Sequence, residues 1–500
     1  MTVGVALLVG LTYHSLLELT MLGWDGWPLV QAGRLTGPGD LFGTFGEELM
    51  EGRYPFGHFY RPVTHLVFGL DHALYGLNPA GYHRTDLVLL ALTAILLTAV
   101  ARRLFGRGTL AVGVIAAAVF VLHPVQLEIL AAPARRADTL ALLFTLACLW
   151  SQPRTGERPG HVGALLSAVF AALALGSKET GAVVAPLVIG LHFFSGGERL
   201  AIPARLRRAL RASLPALVGV GLILALRTAV LGGLGGHVAL AGLTSAPVSA
   251  GQLLWDLLTR VFLPQPLLTG TLGQAAIGAA ALGMVAVAVL LTRCSPSAAE
   301  PASEERSVER RDGPALAFLG WWGLCLFAIT ALADRWHDWY AMLFVAPYAL
   351  ALGLLAVRGL ELARSGGRVL GGSAAGLALL LGGSHLAASH LVSPYPLLVG
   401  ASKLAEQNYR DLKRMLDSAQ EGQVVQLHPW FHEVARNADG SDVHGLQLTW
   451  THTIQAWCEL HWPDRTFEVS RYVDRGLAPK PGVLRVQLVP GVPPSWVRDG

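Results

Sequence analysis

Tyr82-His-Arg-Thr-Asp-Leu-Val-Leu-Leu-Ala-Leu-Thr-Ala-Ile-Leu-Leu-Thr-Ala-Val-Ala101 decides the class of this chain. No charge interrupts the run from Leu87 to Ala101, and Arg102 and Arg103 close it. A helix of about 20 apolar residues crosses the roughly 30 Å hydrocarbon core of a bilayer, where every backbone polar group must be satisfied within the segment. Comparable runs stand near 3-22, 109-123, 138-151, 162-176, 181-194, 213-230, 271-292, 314-332, 340-357 and 370-391, which with 82-101 predicts about eleven crossings. With 53% hydrophobic and 14% charged residues and a mean hydropathy of +0.48, ordinary water-soluble packing is excluded. The expected fold is an all-α polytopic membrane bundle over 1-391, followed at 392-500 by a small soluble α/β domain. In that tail the pattern predicts helices at 401-419 and 446-460 and strands at 424-427 and 483-489.

Arginines fix the expected orientation. They fall in alternate connections, at Arg102, Arg103 and Arg107, at Arg154 and Arg158, from Arg199 to Arg211, from Arg293 to Arg311 and from Arg358 to Arg368. The positive-inside rule makes these loops cytoplasmic, with the N-terminus. The opposite loops and the tail then lie on the non-cytoplasmic side. Met1 to Trp24 lacks a basic leader and a small-residue cleavage site and reads as a first span. The Ser, Pro, Ala, Glu and Arg composition of 294-313 reads as a linker. The excess of Arg over Lys and the wealth of Ala, Gly and Leu point to a bacterial inner membrane. A net charge of +4 gives nucleic-acid binding no support. The four cysteines have neither metal-site nor disulfide spacing, and His428 with His432 lacks the further ligands of a zinc site.

Ionisable residues collect at the outer ends of spans: Asp25, Arg61, His83, His123, Glu128, Arg136, Asp138, Lys178, Glu179, Asp334 and Arg335. Taken singly, each fits an interface residue or a structural ion pair as well as a direct role. As a set they favour a shared site. The polar, amphipathic stretch 59-83 is placed along the outer surface. There His65 and His72 orient the next helix, while Arg61 and His83 offer donors to an anionic headgroup.

Several of these residues stand in motifs. Phe59-Tyr60-Arg61-Pro62-Val63-Thr64, the Gly76-to-His83 turn, His123-Pro124-Val125 with Glu128, Arg136-Ala137-Asp138, and Ser177-Lys178-Glu179 with Gly181 resemble the GT-C glycosyltransferases. The branch resembled is that of the transmembrane and tetratricopeptide-containing O-mannosyltransferases and their bacterial relatives. The resemblance covers roughly 20-195, and its most specific part is His-Pro-x-x-x-Glu followed eight residues later by Arg-Ala-Asp. It departs at Gly23-Trp24-Asp25-Gly26-Trp27, where glycine replaces a second acid, and at 333-340, which only approximates a later arginine loop. The repeats are absent.

The resemblance implies transfer of a sugar, with mannose suggested, from a polyprenyl-phosphate donor to a protein, lipid or glycan acceptor. Asp25 is then the candidate base, with Trp24 and Trp27 at the headgroup belt. Arg136, Lys178 and Arg335 are candidate phosphate clamps. Glu128, Asp138 and Glu179 hold those cations or bind sugar hydroxyls, and Arg61, His83 and His123 complete the donor-binding set. A lone Asp beside a monophosphate is a poor cage for a hard cation, so no tightly bound divalent metal or other cofactor is expected. Two rival readings are a lipid or polysaccharide transporter, whose signature is charge at helix midpoints, and an inactive scaffold that binds the lipid-linked sugar.

Overall fold

The computed structural model describes residues 1-23, 25-35, 37, 39-54, 57-106, 109-153, 160-195, 200-237, 250-262, 312-331, 338-364, 368-391, 395-420, 423-427, 451-471, 482-488 and 497-498. Helices dominate. In order they are α1 (Thr2–Tyr13), α2 (Gly26–Ala32), α3 (Asp40–Gly43), α4 (Pro62–Tyr75), α5 (Pro79–Phe105), α6 (Leu110–Leu122), α7 (Val125–Leu130), α8 (Arg136–Ser151) and α9 (His161–Ser177). Then come α10 (Val184–Phe194), α11 (Ile202–Leu231), α12 (Ala250–Phe262), α13 (Asp312–Ala331), α14 (Ala341–Arg364), α15 (Arg368–Leu391), α16 (Tyr395–Asp417) and α17 (Thr451–His461).

Among the described residues, four helices, α5, α11, α13 and α14, are long and apolar enough to cross a membrane, and the segments Thr2–Glu18, Leu110–Leu122, His161–Ser177 and Glu179–Phe194 are shorter apolar helices. The expected span at 271-292 lies outside the described residues. In α5, Pro79 occupies the first turn and the Asn78 side chain accepts from the Ala80 N–H at 3.2 Å, so one orphan donor is capped. Within its apolar body, Thr93 and Thr98 donate to the carbonyls of Leu89 and Ala94. That leaves neither hydroxyl unsatisfied.

The helix ends sort by charge. Arg103 donates to the Pro153 carbonyl at 2.6 Å, Arg205 to that of Phe193 at 3.1 Å and Arg208 to that of His192 at 3.4 Å. These contacts gather the end of α5, the loop after α8 and the turn into α11 at one pole. Arg61, Asp138, Lys178 and Arg227 meet at the other.

In the tail, β3 (Val424–Leu427), β4 (Thr466–Arg471), β5 (Val483–Leu488) and β6 (Val497–Arg498) form a sheet in the order β4-β5-β3-β6, with β6 antiparallel to β3 and the other pairs parallel. The expected helices and strands of the tail reappear in α16, α17, β3 and β5, while β4 and β6 were not anticipated. A further ribbon pairs β1 (Gly57–His58) with β2 (Gly236–His237). The tail is docked, since the Trp27 ring meets Tyr409 and His461 edge-on at 6.1 and 6.2 Å, and Tyr409 stacks on Trp457 at 4.8 Å. Trp27, expected at the headgroup belt, is therefore buried against α16 and α17. Trp24, His428 and His432 lie outside the described residues.

Candidate active site

Arg61 arrives at the site because Pro62 starts α4 and the Thr64 hydroxyl donates to the Ser177 carbonyl at 2.8 Å. The approach to α4 is thereby tied to the end of α9. Lys178 follows α9 in extended backbone, and the chain turns back at once. Gly181 permits that turn, since a Cβ there would sit 2.1 Å from the Ala174 carbonyl oxygen. Asp138 sits in the first turn of α8, where the helix dipole favours a carboxylate. Its Oδ2 accepts from Lys178 Nζ at 2.6 Å.

A cavity of about 100 Å³ opens among these elements, lined by Asp25, Arg61, Arg135, Asp138, Lys178 and Tyr340, with the rings of Tyr54, Phe59 and Trp339 on its walls. Arg61 grips Glu179 through Nε and Nη2, at 3.1 and 2.7 Å from Oε2. Arg227 donates to the other oxygen of Glu179 at 2.9 Å. One carboxylate thus orients two guanidinium groups. Arg135 lies over the Trp339 ring at 3.9 Å and Lys178 Nζ over Tyr340 at 4.6 Å, placing two cations on aromatic faces. Burial pushes the Lys178 ammonium below the usual lysine value, against the pull of Asp138. Its charge therefore depends on that carboxylate.

Of the residues drawn from the sequence, Asp25, Arg61, Asp138 and Lys178 line the cavity and Glu179 braces it. Glu128 stands one step back, with Oε2 accepting from Arg135 at 3.0 Å. The other described members are packed away. Arg136, expected as a phosphate clamp, is fully buried between Asp71 and Asp86 and donates to the Tyr82 carbonyl at 2.9 Å. His83, expected to meet a headgroup, is buried with Nδ1 3.1 Å from the Leu130 carbonyl oxygen. His123 is buried with Nε2 3.1 Å from the Val261 carbonyl oxygen. Asp334 and Arg335 lie outside the described residues.

The sequence reading passed over Arg135, Arg227, Tyr340 and His452. Arg227 was signalled, because an arginine inside an apolar span demands a partner. Gly26 explains the lone carboxylate of the first outer loop, since a Cβ there would come within 2.6 Å of Met21 Cγ. Among the described residues, no three His, Cys, Asp or Glu side chains gather as metal ligands. The arrangement instead offers three cations for an anionic group, a carboxylate beside them and aromatic walls for a ring.

No family model matches the chain. Protein O-mannosyl-transferase TMTC2 of Mus musculus is 39% identical over 92 residues, 18% of this chain and 10% of that protein. Protein O-mannosyl-transferase TMTC1 of Homo sapiens is 32% identical over 147 residues, 27% of this chain and 16% of that one. The chain is a distant relative of the O-mannosyl-transferases. The matches span between a tenth and a sixth of the length of these two relatives. Among solved structures, ArnT from Cupriavidus metallidurans bound to undecaprenyl phosphate aligns with a TM-score of 0.46 at 13% identity, covering 93% of this chain and 85% of that one.

Proposed function

We propose that the chain is a membrane glycosyltransferase that moves a sugar, mannose foremost, from a polyprenyl-phosphate donor to a hydroxyl acceptor on the non-cytoplasmic side. The observation that carries this reading is the convergence of Asp25 with Arg61, Arg135 and Lys178 on one cavity, at the pole opposite the arginine-bearing helix ends. The positive-inside rule assigns that cavity, and the unit 392-500 docked beside it, to the non-cytoplasmic face. A lipid phosphate presented at the membrane surface meets the cations there.

In this mechanism Asp25 takes the proton of the acceptor hydroxyl as its oxygen attacks the anomeric carbon. The bond from that carbon to the phosphate oxygen breaks, and the phosphate leaves with the electron pair, opposite the incoming oxygen, so the anomeric centre inverts. Arg61, Arg135 and Lys178 meet the charge that develops on the leaving oxygen, each such donor contributing about 3 kcal/mol of barrier lowering. Arg135 takes the clamp role first drawn for Arg136. Glu128, Asp138 and Glu179 keep the cations aimed, and Tyr54, Phe59 and Trp339 offer faces for the sugar ring.

The test is transfer from polyprenyl-phosphate mannose by the purified chain in liposomes. Asp25→Asn is expected to reduce turnover by about 10²- to 10⁴-fold without changing membrane insertion or melting temperature. Normal turnover in that variant rejects Asp25 as the base.

A further inference from the structure

The helical bundle does not hold Asp25 alone. Asp25 precedes the first residue of α2, where its backbone carbonyl accepts from Leu29 N–H at 3.0 Å. Its side-chain Oδ1 lies 3.3 Å from Nε2 of His452, the second residue of α17. The Asp25 side chain is 22% exposed and that of His452 8%. The imidazole is thus the more buried partner, and the carboxylate lines the cavity.

This contact belongs to a built interface. Seven residues further along α17, Glu459 Oε2 accepts from Gln31 Nε2 at 3.0 Å and from Arg53 Nη1 at 2.6 Å. His461 meets Trp27 from the same helix, and the Tyr54 ring stands edge-on to His452 at 6.5 Å. Between His452 and Glu459, on the same face of α17, Gln455 donates to Glu459 Oε1 at 2.7 Å and to the Phe467 carbonyl and accepts from the Val469 N–H, which fixes the helix to β4. A path of packed contacts thus runs from the sheet of the tail to the proposed base.

We propose that His452 is a positioning residue for Asp25, so that the C-terminal unit completes the active site; this rests on the transferase reading above. A carboxylate at the start of a short helix rotates among several side-chain conformers. An imidazole N–H donated to Oδ1 selects one of them and leaves Oδ2 for the acceptor hydroxyl. During transfer the hydroxyl proton passes to Asp25 while the sugar leaves the phosphate, and His452 neither gains nor loses a proton. At metal sites a carboxylate–imidazole pair of this kind orients the ligand, and its loss typically lowers affinity or activity about 10- to 100-fold, the scale expected for Asp25.

The experiment uses the full chain in liposomes. His452→Ala is expected to lower kcat about 10- to 100-fold with the donor KM unchanged, because the three cations remain. His452→Gln, which restores an N–H donor, is expected to recover the larger part of the loss. Wild-type kcat in His452→Ala, alongside an inactive Asp25→Asn, overturns the positioning role and leaves the transferase reading standing. A second readout is independent of activity. In a chain stripped of its four cysteines, Asp25→Cys and His452→Cys are expected to be bridged by a short thiol cross-linker, and failure to link overturns the contact itself. Cross-linking without any transfer by the wild type keeps the contact and sinks the catalytic reading.

Discussion

Arg135 and Arg136 are neighbours in the chain and opposites in environment. Arg136 points into the bundle, between Asp71 and Asp86 and over the Phe68 ring at 4.4 Å. Arg135 points to the cavity, with Glu128 behind it and Trp339 beneath. Two carboxylates around one buried guanidinium leave no coordination for a ligand, whereas Arg135 presents its guanidinium at the cavity wall. A charged motif therefore divides into a part that holds helices together and a part that faces a substrate. The side toward which each residue leaves the helix start makes the division.

The largest expected effect breaks this contrast at its buried end. Arg136→Ala strands Asp71 and Asp86 without their cation, a change expected to cost about 3–5 kcal/mol of stability, read as a fall in melting temperature in detergent. Arg135→Ala is expected to leave melting nearly unchanged and to weaken donor binding instead. If Arg136→Ala melts like the wild type and Arg135→Ala does not, the two roles are reversed.

Next in size is the cavity end. Lys178→Met keeps the stem of the side chain and removes the charge, so kcat for transfer is expected to fall about 10²- to 10³-fold, the range for loss of one preorganised donor to a developing anion. Asp138→Asn is expected to mimic part of that loss, since burial already holds the ammonium down and the carboxylate sustains its charge. Full activity in Lys178→Met removes the lysine from the clamp.

Much of the fold was legible in the sequence, because a bilayer-length apolar run has few alternatives. Among the described residues, four of the expected runs became helices long and apolar enough to cross a bilayer, α5, α11, α13 and α14. The site was legible only as a list of residues. The motif around His123, Glu128, Arg136 and Asp138 marks a conformation as much as a chemistry. His123 receives the Val125 N–H on Nδ1 at 3.2 Å, so it shapes the turn into α7. Arg136 and Asp138 are two apart at a helix start and leave it in different directions, so Arg136 meets α4 and α5 while Asp138 meets Lys178. His452 was out of reach, since nothing in the pattern around it says that α17 docks on the loop 427 residues earlier.

Acid provides a third test. Buried His65 accepts from the Met50 N–H at 3.0 Å, and Met50 and Glu51 beside it hold left-handed backbone, with φ of 56° and 53°. Burial, with help from Arg61, lowers the His65 pKa from 6.5 to about 4. Above pH 6.5 the ring is neutral folded and unfolded, and its contribution to stability is complete. As pH falls from 6.5 toward 4 the unfolded chain takes up the proton and the folded chain does not, so stability falls, by about 2 kcal/mol at pH 5. His65→Gln is expected to flatten this part of the melting-temperature profile. A profile with the same slope in both proteins sinks the assignment.

The smallest effect is expected at the opposite pole, along a helix that reaches both ends. Tyr340, in the cavity wall, immediately precedes α14. Arg358 lies eighteen residues further on, about 27 Å away at 1.5 Å per residue. There its Nε donates to Asp312 Oδ2 at 2.8 Å and its Nη1 to Glu361 Oε2 at 2.6 Å, and about a quarter of the side chain is exposed. This cluster joins one arginine to two carboxylates and lies apart from the cavity that Asp25 lines. Arg358→Ala is expected to cost about 0.2–1 kcal/mol in stability, as partly exposed ion pairs do, and to leave transfer per folded molecule and donor affinity unchanged. Placed beside Arg135→Ala, it separates charge in general from charge at the cavity. A comparable loss of transfer in both variants would mean that the arginines act through stability or membrane placement, and the distinction between the two poles would fail.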